Sequence, residues 1–394
     1  MNAFKDIVRR SSVILVGLVF FSAGLLKLQD PVGAGLVVKE YFKFFGTDFL
    51  ESFSKAIAWA LAMLETLVGV ALLAGLWRRG LAVITSAMML FFTVITVILV
   101  IKQPVMDCGC FGEAIHLTHE QTLLKNIILC VFCLIAFFPG ELGHPHMPHK
   151  LIAFVLATGA VVALSIHALT RLPSIDFTDF APGTELTAAA SVQDIDDQRD
   201  SLFIYERGEM QGAFSSDKLP DDQWEYIDSQ AEGLNIHPTR LQTASLPISD
   251  AEGIYQDHLL AIEDVAVVSV YSPEKFDFEE WEAVASSLQE MQMAGLTAYL
   301  LMPDAAEAPD DLIDIAYSAD RKTLMTFNRS NGGVTALHDG EIMAKWPFRH
   351  SPDSDTWENI LKRNPVEYEL SHNSKGRLTF QMVAVYSLAI LLIM

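Results

Sequence analysis

The stretch "AIAWALAMLETLVGVALLAGLW", residues 56–77, decides the fold, because about 20 apolar residues are enough for a helix to cross a lipid bilayer. Its single charge, Glu65, falls near the middle, where a carboxylate costs roughly 2.5–3.5 kcal/mol to insert. A polar partner must compensate that carboxylate, and the candidates are Lys27 and Lys125, with Asn126 as a possible hydrogen-bonding neighbour. Glu65 is therefore either part of an intramembrane site that holds a quinone or substrate oxygen, or a structural group that keeps the helices in register.

Further apolar runs surround this stretch, and each is predicted to be a helix because backbone groups in hydrocarbon must be hydrogen-bonded internally. They lie at residues 11–26, 81–101, about 122–139 and 151–170. The first is expected to be an uncleaved anchor, since no small-residue cleavage site follows it. The "RRG" at 78–80 is predicted to be a short connection between antiparallel helices. A last run, 378–394, is either a sixth helix or an interfacial segment.

Charge divides the chain into two different parts. Residues 1–173 contain 13 Lys and Arg against 10 Asp and Glu, whereas residues 174–394 contain 14 against 39. An acidic second half repels phosphate backbones, so we expect no nucleic-acid partner. That half is expected to be soluble, and since all four cysteines lie in the first half, its fold must be stabilised without disulfides.

Basic residues near the ends of the apolar runs predict the orientation of the chain in the membrane. Most fall on one side if the N-terminus is cytoplasmic, although Lys39, Lys43 and Lys55 fall on the other. The cytoplasmic set is Lys5, Arg9, Arg10, Arg78, Arg79 and Lys150. We therefore expect a multi-pass protein of the inner (cytoplasmic) membrane of a bacterium, with its soluble domain in the oxidising periplasm, where disulfides persist.

The loop "PVMDCGCFGEAIH", residues 104–116, places Cys108 and Cys110 at the predicted outer edge of the membrane. A disulfide across one intervening residue closes a very small ring, and strained geometry makes such a bond easier to reduce. The pair is predicted to be redox-active, with a structural disulfide or two free thiols as the alternatives. Zinc is not expected, because the gaps between these cysteines and between His116 and His119 are shorter than zinc sites use.

Two further groups of metal-binding or redox residue types lie outside this loop. Cys130 and Cys133 share one face of a helix near mid-bilayer, where cysteine is usually a small apolar packing residue. The alternative is a disulfide relay from the loop pair to this buried pair. The histidines of "HPHMPH", residues 144–149, are predicted to lie in a solvated Pro-rich turn rather than to bind a metal.

The acidic half shows alternating strand and helix patterns. We predict a hairpin at 201–214, and then a regular series of elements. In order, these are a strand at 265–272, a helix at 277–295, a strand at 296–303, a short helix at 310–318 and a hairpin at 332–347. This is the order of the thioredoxin fold, but "SPEKFDFEEW" contains no cysteine where that fold carries its exchange pair. We expect a thioredoxin-like domain that keeps only a binding surface.

The stretches "VGLVFFSAGLLKLQDPVG" (16–33) and "QPVMDCGCFGEAIHLTHEQTLLKN" (103–126) resemble the DoxX/MauE family of membrane proteins. The resemblance implies a four-helix bundle in the inner membrane, here with a fifth helix and a degenerate thioredoxin-like tail of the type found in Bacteroidota. MauE is linked to methylamine utilisation, through the disulfide-rich small subunit of methylamine dehydrogenase, and DoxX relatives to quinone-linked oxidation of sulfur compounds. Cys108 and Cys110 match the loop cysteines of the family. The surrounding pattern is matched by Lys27, Asp30, Pro31, Glu65, Lys125 and Asn126.

These features predict five regions: a transmembrane domain over 1–140, a fifth transmembrane helix over 141–173, an acidic β-rich segment over 174–264, a thioredoxin-like domain over 265–365 and the possible sixth helix. The expected function is thiol–disulfide or quinone-linked electron transfer that supports maturation of extracytoplasmic clients. Expected partners are membrane lipid and a periplasmic client or thioredoxin-like protein. The alternative is a non-enzymatic scaffold whose acidic domain recruits envelope partners; solute transport is less favoured, because no internal repeat is evident.

Overall fold

The computed structural model describes residues 2–76, 78–104, 108–138, 148–187, 201–207, 210–214, 225–231, 242–261 and 264–353, with isolated residues beyond. Apolar helices make up its first part, and a mixed α/β domain follows them. The helices are α1 (Asn2–Gln29), α2 (Pro31–Phe44), α3 (Ser54–Ala74), α4 (Arg78–Lys102), α5 (His119–Phe137) and α6 (Pro148–Thr170).

Five of these helices are long and apolar enough to cross a membrane, counted over the described residues. The five candidate spans are Phe4–Gln29, Asp48–Ala74, Arg79–Lys102, His119–Phe137 and Lys150–Thr170. They correspond to the five apolar runs predicted between residues 11 and 170. The chain is therefore a multi-pass membrane protein.

The ends of two helices differ from the sequence prediction. The "RRG" at 78–80 is not a connection but the first turn of α4, because α3 already ends at Gly75. Gly75 has the left-handed conformation that closes many helices. Helix α2 was not predicted; Asp30 starts it by accepting a hydrogen bond from the backbone N–H of Gly33, and Pro31 occupies the first turn.

Close contact between α1 and α3 fixes the centre of the bundle. A Cβ atom at Gly24 would lie 2.3 Å from Thr66 Oγ1, and one at Gly69 would lie 2.4 Å from the Phe21 nitrogen. Glycine is therefore required at both positions for the two helices to approach. The membrane core around this contact includes Val16, Phe20, Leu72, Leu129 and Phe137.

The α/β domain is built on a seven-stranded sheet of order β6-β2-β11-β10-β7-β8-β9. Its strands are β2 (Thr184–Thr187), β6 (Gln242–Ser245), β7 (Asp264–Ser269), β8 (Thr297–Met302), β9 (Ala316–Ser318), β10 (Gly333–His338) and β11 (Glu341–Trp346). Strands β7, β8 and β9 are parallel, whereas β10 is antiparallel to β7 and β11. Since β2 and β6 precede residue 264, residues from both predicted soluble segments share this sheet.

Both faces of the sheet are covered by helices. On one side lies α7 (Phe278–Met293), whose Val284 and Leu288 are fully buried. On the other lies α8 (Arg321–Phe327), whose Leu324 and Phe327 pack in a second core. The central hydrophobic strands are therefore enclosed on both sides, as expected for parallel strands.

Most predicted elements of this domain are confirmed. The strands and helix over 265–303 and the hairpin over 332–347 are present with nearly the predicted bounds. The hairpin over 201–214 is also present, formed by β3 (Ser201–Arg207) and β4 (Met210–Phe214), with β5 (Glu225–Ala231) on the other side of β3.

The predicted short helix at 310–318 is wrong. The structure has only a 3₁₀ turn at Ile313–Ile315, and the chain then extends as β9. Ala316 pairs with Leu300 of β8 and is buried, so sheet pairing outweighs the local helical pattern. The predicted sixth helix lies outside the described residues for most of 378–394.

Candidate functional site

A cavity of about 560 Å³ lies inside the membrane bundle, between α1, α2, α3, α4 and α5 and below the loop that follows α4. Its walls are mainly aliphatic and aromatic, whereas polar groups cluster at one region. Apart from Thr47, the polar lining residues are Lys27, Tyr41, Glu65, Thr96, Cys108, Cys110, Lys125 and Asn126. Six of these eight were candidates from the sequence, so the structure brings together residues that are up to 99 positions apart, from Lys27 to Asn126.

Glu65 forms a buried ion pair with Lys27. The lysine Nζ lies 2.9 Å from one carboxylate oxygen of Glu65 and 2.8 Å from the other. The glutamate is 3% exposed, so a charge here requires such a partner. Of the two partners considered from the sequence, the structure gives the direct contact to Lys27, at the end of α1.

Lys125 and Asn126 lie on α5, on the opposite wall of the cavity. The Lys125 Nζ lies 4.9 Å from the centre of the Phe111 ring, within cation–π distance. The buried amide of Asn126 donates to Thr96 Oγ1 at 3.0 Å. Asn126 is thereby oriented by α4, and Lys125 remains close to the cysteine loop.

The two loop cysteines are thiols whose sulfur atoms lie 3.5 Å apart. Gly109 between them has a left-handed backbone, and a Cβ atom there would lie 2.4 Å from Val37 Cγ1. Only glycine fits both conditions. The Tyr41 hydroxyl donates to the Cys108 carbonyl at 3.0 Å, so α2 holds the loop at two points. Burial, together with the nearby cysteines, raises the pKa of Tyr41, which keeps this donor protonated.

The two thiols have very different acidities. The hydrogen bond from Cys108, followed by the charges of Lys125 and Lys27, lowers the pKa of Cys110 to about 5, although burial opposes this. The same hydrogen bond, together with burial, raises the pKa of Cys108. At neutral pH the pair is therefore a Cys110 thiolate that accepts a hydrogen bond from the Cys108 thiol. A thiolate is the reactive form in disulfide exchange.

The second cysteine pair is separate from this site. Cys133 is buried in the membrane core, and Cys130 lies 3.7 Å from Thr93 Oγ1. Neither lines the cavity, as far as the described residues define its walls. Both are free thiols, and the relay between the two pairs, which was the alternative to apolar packing, stays a hypothesis.

Two of the histidines considered for metal binding, His116 and His119, lie near the cysteine loop. His119 contacts the Pro104 carbonyl at 3.2 Å, and His116 is exposed. Among the described residues, no group of three or more His, Cys, Asp or Glu side chains is arranged to hold a metal. The side chains of "HPHMPH" at 144–149 lie outside the described residues.

Several residues near the loop were missed by sequence reasoning. Thr96 belongs to an apolar run, and Tyr41 lies among the charged residues of α2, so no sequence pattern marks either of them. Arg329 is the most distant of them in sequence, because it belongs to the α/β domain. In space, however, its side chain lies 2.8 Å from Asp30 and 3.1 Å from Glu113. A lone arginine in an acidic segment gives no signal of a partner more than 200 residues away.

Comparison with known proteins finds a family match for the membrane part of the chain. Residues 5–139 match the family described as "Methylamine utilisation protein MauE". No curated protein and no solved structure matches the chain. The matched segment contains both cysteine pairs, the Lys27–Glu65 ion pair and the Lys125–Asn126 wall, whereas the α/β domain lies beyond it.

Proposed function

We propose that this chain, whose residues 5–139 match the MauE family, is a membrane thiol–disulfide redox component in which Cys108 and Cys110 cycle between dithiol and disulfide. The observation that carries this function is the pair of free cysteines, 3.5 Å between sulfur atoms, at the polar end of an intramembrane cavity. A pair in this state is ready to exchange disulfides with a client protein.

The chemistry of the pair balances in both directions. When the Cys110 thiolate and the Cys108 thiol form a disulfide, the pair loses two electrons and one proton. A client thiolate then attacks one sulfur of that disulfide, which forms a mixed disulfide and releases the other cysteine. A second client thiol attacks the client sulfur of the mixed disulfide and releases the remaining cysteine. The client leaves oxidised, and the pair returns to the thiolate–thiol state. Lys125 stabilises the thiolate formed in that last step.

The electrons released by the pair require an acceptor, and the cavity fits a quinone. Its volume of about 560 Å³ lies in the usual range for small-molecule sites. Phe91 and Val94 line it and are about half exposed, at 54% and 50%, on the surface of α4, so the wall is open to lipid-soluble molecules. Lys125 and Asn126 would hold quinone oxygens beside the thiols. A bound quinone would act as the acceptor, since reduction of a quinone takes up two electrons and two protons.

The same proposal assigns the location and the role of the α/β domain. The N-terminus is cytoplasmic, and the cysteine loop and the domain face the periplasm, as the basic residues favour. The order β11-β10-β7-β8, with β7 and β8 parallel, supports a thioredoxin-like core for that domain. Since it carries no cysteine, its part in client maturation is to dock extracytoplasmic clients or thioredoxin-like proteins.

Acid trapping of thiols in whole cells, read as a mass shift on a gel, tests this function. In cells that make quinone, a fraction of the Cys108–Cys110 pair should be oxidised, and quinone depletion should move it to the dithiol. Cys130→Ser with Cys133→Ser is the matched control and should leave that response intact. A redox state that is the same at both quinone levels would refute the function and favour the non-enzymatic scaffold.

A further inference from the structure

A buried arginine joins the α/β domain to the cysteine loop. The Arg329 side chain is only 4% exposed, and its Nη2 lies 2.8 Å from Asp30 Oδ2 and 3.1 Å from Glu113 Oε1. Its Nη1 donates to the Met325 carbonyl at 3.0 Å, at the end of α8. The guanidinium is thus held by its own domain and contacts two carboxylates of the membrane region.

Those two carboxylates belong to the elements that frame the thiols. Glu113 ends the strand β1 (Cys110–Glu113), which begins with the reactive cysteine itself. Asp30 caps the start of α2, the helix whose Val37 packs on Gly109 and whose Tyr41 binds the Cys108 carbonyl. Arg329 therefore contacts the loop directly and also through α2.

The charge of Arg329 is retained in this position. Burial alone would lower the pKa of the guanidinium, but the charges of Asp30 and Glu113 raise it above its ordinary value. A buried cation and its two carboxylate partners stabilise the fold only when all three are present, because removing one of them leaves an uncompensated charge. Undocking of the domain would expose Glu113 without its partner, beside Cys110.

Resting on the redox cycle proposed above, we propose that Arg329 is a positioning residue for Cys108 and Cys110, and that docking of the α/β domain through it sets their thiol–disulfide equilibrium. The reduced pair carries a thiolate charge, whereas the disulfide carries none. A docked Arg329 neutralises Glu113 and so favours the reduced pair. By thermodynamic reciprocity, oxidation of the pair weakens docking by the same factor.

The size of this coupling follows from the distance along β1. Glu113 follows Cys110 by three residues, so their Cα atoms lie at most about 10 Å apart at a maximum reach of about 3.3–3.6 Å per residue. One unit charge at that distance, with an effective dielectric constant of about 20, changes the equilibrium roughly tenfold. For a two-electron couple, a tenfold change corresponds to about 30 mV.

The test is a redox titration of the purified full-length protein in phospholipid nanodiscs, equilibrated with dithiothreitol or glutathione buffers and trapped with a maleimide. Arg329→Gln should shift the Cys108–Cys110 equilibrium roughly tenfold towards the disulfide. Arg329→Lys keeps the charge and should stay near the unaltered protein. Adding Glu113→Gln to Arg329→Gln should reverse most of that shift. Lys322→Gln, which removes the exposed ion pair with Glu40 at the same interface, should have no effect.

An unchanged equilibrium in Arg329→Gln would overturn this role, as would a double variant that stays as shifted as Arg329→Gln alone. If Arg329→Gln does not fold, Glu113→Gln alone must move the equilibrium towards the dithiol, and no movement counts against the coupling. The titration uses chemical redox buffers, so it holds or fails independently of whether quinone supply drives the pair in cells.

Discussion

Replacing Lys125 by methionine tests the electrostatic basis of the reactive thiol. The structure gives Cys110 a pKa of about 5, to which the charge and the hydrogen bond of Lys125 both contribute. Hydrogen bonds to charged groups contribute about 1.5–3 kcal/mol, which corresponds to one to two pH units. Lys125→Met should therefore raise the pKa of Cys110 by about one to two units. Methionine keeps much of the length and apolar contact of the lysine side chain.

The assay is the rate of iodoacetamide labelling of Cys110 from pH 4 to pH 9, followed by peptide mass spectrometry. The thiolate reacts and the thiol does not, so the unaltered protein should label at a half-maximal rate near pH 5. At pH 5.5 a shift of about 1.5 units lowers the thiolate fraction about eightfold. Lys102→Met removes an exposed lysine near the same loop and serves as the matched control.

A labelling midpoint in Lys125→Met that coincides with the midpoint of the unaltered protein would refute this reasoning. A midpoint near the ordinary thiol range in the unaltered protein would refute it as well, because the thiolate would then be no more stable here than in water.

Three further predictions concern the bundle and the loop. Glu65→Gln leaves Lys27 buried without its charge partner and should lower the free energy of unfolding in detergent by about 3–5 kcal/mol. Replacing Glu65 by leucine together with Lys27 by methionine should recover most of that loss. Equal losses in the single and the double variant would contradict the pairing. Gly109→Ala should slow disulfide formation in the loop several-fold, and Val37→Ala should relieve part of the clash; an unchanged oxidation rate would contradict the close approach. A topology reporter inserted within 104–116 should be active only on the periplasmic side, and cytoplasmic activity would reverse the proposed orientation.

The membrane part of the fold could be predicted from the sequence because its signal is local. A run of apolar residues must form a helix in lipid, whatever surrounds it. Helix α2 escaped prediction because it is short and contains Lys39, Glu40 and Lys43, which break the apolar pattern. In the α/β domain, the central strands β7 and β8 were predictable from continuous apolar runs. Strand β9 instead depends on pairing with β8, which no local pattern encodes.

The site was predictable in its members but not in its arrangement. Glu65 is conspicuous as a charge in hydrocarbon, and the cysteines are conspicuous in a chain with only four. The contact of Glu65 with Lys27 depends on how closely α1 and α3 pack. Gly24 and Gly69 permit that close packing, but their presence in the sequence does not predict it. Arg329 could not be predicted, because its role arises only when the α/β domain docks on the loop.

The measurement that bears most directly on the redox cycle is the intact mass of the alkylated protein after mild oxidation and after reduction. The reduced protein should take up four alkyl groups, one for each cysteine of the chain. The oxidised protein should lose two of these, both mapping to Cys108 and Cys110. An equal number of alkyl groups in both samples, or a loss that maps to Cys130 and Cys133, would contradict the redox role of the loop.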